Sequence, residues 1–144
     1  MRFKLPAWSS ALALVAVLSS ACAADNDAQK TLRIGTHAFK VEIAATPEQR
    51  QLGLMGRSQL ADNSGMLFVF DYPGQHCFWM RNTPLPLSIA FIDDRGRIVN
   101  LADMQPYTDA LHCPTAPVRY ALEIPQGGFA QRSIVPGMQI QGLQ

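Results

Sequence analysis

Two identical dipeptides, His76-Cys77 and His112-Cys113, lie in the second half of the chain, and the first runs directly into Phe78-Trp79-Met80-Arg81-Asn82. Thiols and imidazoles at this spacing support two chemistries. In an oxidising compartment, Cys77 and Cys113 form a disulfide. The bond would tie the segment before Val118 to the Trp79 strand and stabilise the fold by about 4 kcal/mol through loop-closure entropy. As thiolates, the same cysteines join His76, His112, Met80 and Met104 in a soft donor set suited to copper or zinc. Neighbouring residues on a strand point to opposite faces, so the two members of one His-Cys pair do not converge easily on an ion. The disulfide is the favoured reading, the metal site the alternative, and free thiols a third.

A second candidate is the Trp79-x-Arg81-Asn82 edge. Alternation puts Trp79 and Arg81 on the same strand face, where an aromatic wall and a guanidinium could recognise a carboxylate or a sugar face. Packing of Trp79 into the core with its ring N–H hydrogen-bonded is the competing reading. Asn82-Thr83-Pro84 is also a turn, because proline steers the residue before it away from helix. Glu123 sits inside an apolar run, and a buried carboxylate needs a partner, for which Arg50 and Arg57 are the candidates. An ion pair there is structural, whereas an acid with a raised pKa would serve as a general base beside Arg57. No G-x-S-x-G, H-E-x-x-H or phosphate-cradling glycine loop occurs in the chain, and Asp93-Asp94 reads as a hairpin turn.

The elements that must position these residues follow an address. Arg2 and Lys4 precede the apolar run Ala11–Leu18 and the small residues Ser19-Ser20-Ala21-Cys22-Ala23. This order is that of a secretory signal, too short to span a bilayer at about 20 residues. Residues 1–21 are expected to be removed, leaving a lipidated Cys22. Ordinary cleavage before Ala24 is the alternative, and Ser19 stands where a lipoprotein box usually has leucine. Residues 22–30 would then be a tether and residues 31–144 a single domain. The chain has 12 Lys+Arg and 11 Asp+Glu. Loss of Arg2 and Lys4 makes the remainder slightly acidic, which gives no electrostatic case for nucleic acid.

Within the domain, Leu32, Ile34, Phe39, Val41 and Ile43 alternate around Gly35-Thr36, the pattern of a hairpin. Thr46-Pro47-Glu48-Gln49 is a capped helix start, with Gly53 and Gly56 ending the helix near Met55. Gly65–Phe70 is a strand closed by Pro73-Gly74. Leu87–Ile92 is apolar on both faces, as in a doubly covered strand, and turns through Asp93–Gly96 into Ile98–Leu101. Residues 103–117 read as an irregular connection. Val118–Ile124, Ser133–Val135 and Met138–Ile140 are the last strands, and no segment reads as a βαβ unit. The expected fold is mainly β, a compact barrel or jelly-roll-like sandwich with one short helix near residues 47–55.

Four motifs carry a resemblance. Thr46-x-Glu48-x-Arg50-x-x-Gly53-Leu54-Met55-x-Arg57, Gly65–Phe70, Phe78–Thr83 with Pro86–Ile92, and Tyr120-Ala121-Leu122-Glu123 with Gly127 resemble, in order, those of the family called domain of unknown function 192. The match covers about residues 38–142. It implies a compact mainly β fold of jelly-roll or barrel type; the family's function is not established, so the resemblance carries over no catalytic residues. Arg81 stands where that family commonly has lysine, and Ser88 where it commonly has aspartate.

The combined expectation is an exported periplasmic protein, anchored through Cys22. It would act as a binding or accessory module for a small molecule or an envelope protein. Its candidate ligand-binding residues are Trp79, Arg81, Asn82, Arg57 and Glu123. No cofactor is expected. The alternatives are a metal-handling protein using His76, Cys77, His112, Cys113 and Met80, and an enzyme using Glu123 and Arg57.

Overall fold

The structure, a computed structural model, describes residues 29–144. The signal segment, the Cys22 processing site and most of the tether lie outside the described residues. Seven strands and two short helices follow in order: β1 (Lys30–Ile34), β2 (His37–Ala44), α1 (Pro47–Leu52), β3 (Ser64–Gly74), β4 (Leu87–Ile92), β5 (Ile98–Met104), β6 (Val118–Pro125), α2 (Gly128–Gln131) and β7 (Ile140–Gln141). The fold is mainly β, and β1 begins one residue inside the expected tether.

All seven strands belong to one curled sheet, in the order β5-β4-β6-β3-β2-β1-β7. Its two ends meet at an Arg97–Gln139 bridge, where Ile98 N donates to Met138 O and Ile140 N to Gly96 O. The alternation of apolar residues decides which side chain goes where. Leu32, Ile34, Phe39, Val41, Leu67, Ala90, Ile92, Leu122 and Ile124 pack on the inside of the curl with Phe129 and Ile134. Ala44, Met66, Phe68, Leu87, Ile89, Phe91 and Ala121 form a second core on the outer face with Leu54 and Met80. Every residue of β4 is buried, as its two apolar faces require.

The capping box at the start of α1 is complete: Gln49 N donates to Thr46 Oγ1 at 3.2 Å, and Gln49 Oε1 accepts from Thr46 N at 3.0 Å. The helix stops at Leu52, short of Met55, with Gly53 at φ 48°.

Four features differ from the sequence reading. First, β2 and β3 pair in parallel, so β2-α1-β3 is a crossover. Because α1 buries none of its residues, it lacks the apolar stripe that announces such a unit. Second, β3 runs through Pro73 to Gly74. Its pairing with β6 lapses between Val69 and Gly74, so the missing proline N–H leaves no ladder bond broken. Third, Gly127-Gly128 opens α2, where the sequence signalled only a break. Fourth, Ser133–Val135 is not a strand: Ser133 sits in a turn at φ 54°, although Ile134 still reaches the core.

Candidate functional site

The outer core is roofed by segments 53–60 and 75–86, and the roof is stitched from several sides. Cys77 and Cys113 are bonded, with Cα atoms 4.2 Å apart. Phe78 and His112 exchange two backbone hydrogen bonds of 2.8 Å, and Met80 N donates to Thr108 O at 2.9 Å. Across the roof, Gly56 N donates to Asn82 O at 2.9 Å. Asn82 adopts a left-handed φ of 57°, the turn role its type and place before Thr83-Pro84 suit. Gly53 brings its turn so close to the sheet that a Cβ there would lie 3.2 Å from the Phe68 ring.

Between roof and sheet lies a cavity of about 410 Å³. Its walls come from the α1 C-terminal turn (Arg50 to Met55), Phe68 and Phe70 of β3, and the loop from Gln75 to Trp79 with Thr83. The aromatic rings brace one another: Phe78 meets Phe68 edge-on at 4.9 Å, and Phe70 stacks on His76 at 3.7 Å. At the base stands Glu123. Leu122 and Ile124 of β6 point inside the curl, so Glu123 points outward, with Met66 and Ile89 as its register neighbours.

Glu123 is 4% exposed, and its carboxyl has no hydrogen-bond or ion-pair partner among the described residues. Burial pushes its pKa from the ordinary 4.5 up to about 8, because the apolar surroundings disfavour the carboxylate. At neutral pH the protonated acid is therefore the favoured form of Glu123.

The arginines do not supply the partner that the sequence suggested. Arg57 makes a bidentate pair with Glu42 at 2.8 and 2.5 Å. Arg50 donates to Ala45 O and Val69 O, lies 3.7 Å from Asp71 and sits over the Phe70 ring. Trp79 lines the cavity and is 43% exposed. Arg81 stacks on that ring at 4.0 Å and donates to Asp109 at 2.8 Å, a bond that also raises its pKa. Neither Arg81, Asn82 nor Arg57 lines the cavity. Glu123 and Trp79 are thus brought together, and the other three are placed around them.

The two His-Cys pairs do not form an ion cage. Their sulfurs are bonded to each other, and His76 Nε2 lies 3.1 Å from Tyr72 O. Met80 and Met104 are core residues. Among the described residues no group of three or more His, Cys, Asp or Glu stands where it could hold a metal. Ser88, buried, donates to Asp103 and accepts from Gly127 N at 2.9 Å, tying the end of β6 to β4 and β5.

The residues that sequence reasoning missed are Phe68, Phe70 and Phe78. Alternation along Leu67–Phe70 already put Phe68 and Phe70 on one face, but which turn would cover that face was not legible.

No curated protein matches the chain. Among solved structures, it is similar to a Sinorhizobium meliloti 1021 protein described as a candidate transcription regulator. The two share 35% identity over 80% of this chain and 94% of that one, at a TM-score of 0.77. A protein of unknown function from Novosphingobium aromaticivorans DSM 12444 is similar at 36% identity, covering 78% and 83%, with a TM-score of 0.74. A family model described as DUF192, Uncharacterized ACR, matches residues 30–142. The chain belongs to the DUF192 family.

Proposed function

We propose that this protein is a cell-envelope binding module for a small organic molecule, with the cavity above Glu123 as its site. The observation that carries the reading is an unpartnered carboxyl, 4% exposed, at the base of an aromatic-walled cavity of about 410 Å³. A volume of this size falls in the range of roughly 300–1,000 Å³ typical of small-molecule sites, and a few convergent polar groups against apolar walls is their usual make-up. The polar group is costly to bury alone, and a ligand would complete it. Export rests on the Arg2-to-Ala23 signal pattern, and the bonded cysteines suit an oxidising compartment. Lipid attachment at Cys22 would hold the module at the membrane.

A fragment screen read by amide chemical shifts tests the site. Binders should move resonances of residues 50–55 and 75–83 together with Glu123. A screen whose binders all shift residues elsewhere, or one with no binders, refutes the reading. Membrane fractionation of the wild-type protein and a Cys22→Ala variant tests the anchor, and an unchanged distribution argues against it.

A further inference from the structure

Resting on that binding reading, we infer that the cavity takes an organic cation: an amine whose ammonium reaches Glu123 while its carbon skeleton lies against the aromatic walls. The inference follows from which polar groups are already committed. Arg50 is held by Ala45 O, Val69 O and Asp71. The Thr83 hydroxyl donates to Arg81 O at 3.4 Å, and His76 Nε2 is taken by Tyr72 O. Arg50 Nη1 is thus taken by two carbonyls and its charge is balanced by Asp71, so an anionic ligand finds no cation in the cavity lining whose charge is unopposed. Glu123 is the charge-capable group there without a partner, and it has only Met66 and Ile89 beside it on the sheet.

An ammonium supplies the missing donors, and the aromatic faces add attraction for a cation in a desolvated site. The bound state then contains one carboxylate and one ammonium, a neutral pair. Reaching it requires Glu123 to release its proton to solvent. Cation affinity is thereby linked to pH, rising about tenfold per pH unit below the carboxyl's value of about 8. The other titratable groups lining the cavity are Arg50 from α1 and His76 from the roof loop. Both side chains are kept in Glu123→Gln, so comparison with that variant isolates the Glu123 carboxyl.

Titration calorimetry on the purified protein, using benzylamine and its neutral counterpart benzyl alcohol, tests the inference. Benzylamine should bind at least tenfold more tightly at pH 8, and its affinity should climb between pH 6 and 8. Glu123→Gln, nearly identical in shape, should remove both the preference and the slope. In the wild-type protein alone, benzylamine affinity that is flat between pH 6 and 8 overturns the inference, whether or not the variant folds. So does a preference that persists in Glu123→Gln, or an absence of benzylamine binding. If benzyl alcohol binds equally well and shifts residues 75–83, the cation inference falls while the cavity remains the site. The binding reading itself falls only if the fragment screen fails there as well.

Discussion

Replacing Glu123 with Gln removes an ionisation while keeping the volume of the side chain, so its effect on stability can be worked from the burial of one carboxyl. Glu123 has its pKa raised on folding from 4.5 to about 8. A raised folded value means that the folded state holds the proton more tightly than the unfolded chain. The contribution is therefore fully present below about 4.5 and is lost as pH rises through 8. Each pH unit inside that window costs the wild-type fold about 1.4 kcal/mol, which gives on the order of 3 kcal/mol between pH 4.5 and 7. Gln titrates nowhere in this range. Comparing the gap between variant and wild type at the two pH values cancels the fixed cost of burying an amide. It also cancels Asp109 and Glu48, whose lowered values act equally in both proteins. Denaturant unfolding at pH 4.5, 6, 7 and 8 should show the variant gaining on the wild type, by about 3 kcal/mol at pH 7. In thermal unfolding this would be roughly 10 °C for a domain of this size. A gap that stays constant from pH 4.5 to 8 would refute the placement of Glu123 as an unpartnered buried acid.

Three further outcomes follow from the geometry. Replacing Cys77 and Cys113 together by Ser should cost about 4 kcal/mol in denaturant unfolding, from a sequence separation of 36 and the chain-entropy model. A loss below about 1 kcal/mol would mean that the bond adds little constraint. Gly65→Ala places a Cβ 2.3 Å from Glu123 O, backbone that cannot move aside without parting β3 from β6. It should cost about 2–3 kcal/mol, and a neutral result would contradict the close strand approach. Arg81→Ala uncovers the Trp79 ring at an exposed position. Its thermal midpoint should stay near that of the wild type while Trp79 emission changes, and an unchanged spectrum would argue against the stacked pair.

What could be read from the residues was whatever depends on near neighbours. The two-residue period of Leu87–Ile92 predicted two apolar faces, and the structure sends Leu87, Ile89 and Phe91 to one core and Ala90 and Ile92 to the other. Thr46 and Gln49 announced their capping box at a spacing of three. What could not be read depends on distant pairing. The parallel alignment of β2 with β3, and the meeting of Arg97 with Gln139, have no local signature. The four-residue α2 is too short for propensity to mark; its place is fixed by Phe129 and Ile134 packing inside the curl.

Glu123 shows how the same limit acts at the site. Its sequence setting, one acid among Leu122, Ile124 and their apolar neighbours, signalled that burial would require compensation. Compensation by Arg50 or Arg57 is the economical expectation, since buried ions are usually paired. The structure gives Arg57 to Glu42 and commits Arg50 to backbone carbonyls, so neutralisation by a proton replaces neutralisation by a cation. Below about pH 4.5 a fold holds a carboxyl this way at little more than the cost of an unmade hydrogen bond, but towards neutral pH the protonation cost grows, and stability alone gives no reason to keep it. Glutamine would have the same shape without the pH penalty, and leucine would join the surrounding core. Retention of an ionisable group at the base of a cavity, where it weakens the fold as pH rises, makes sense if the charge is called on when something else occupies the cavity.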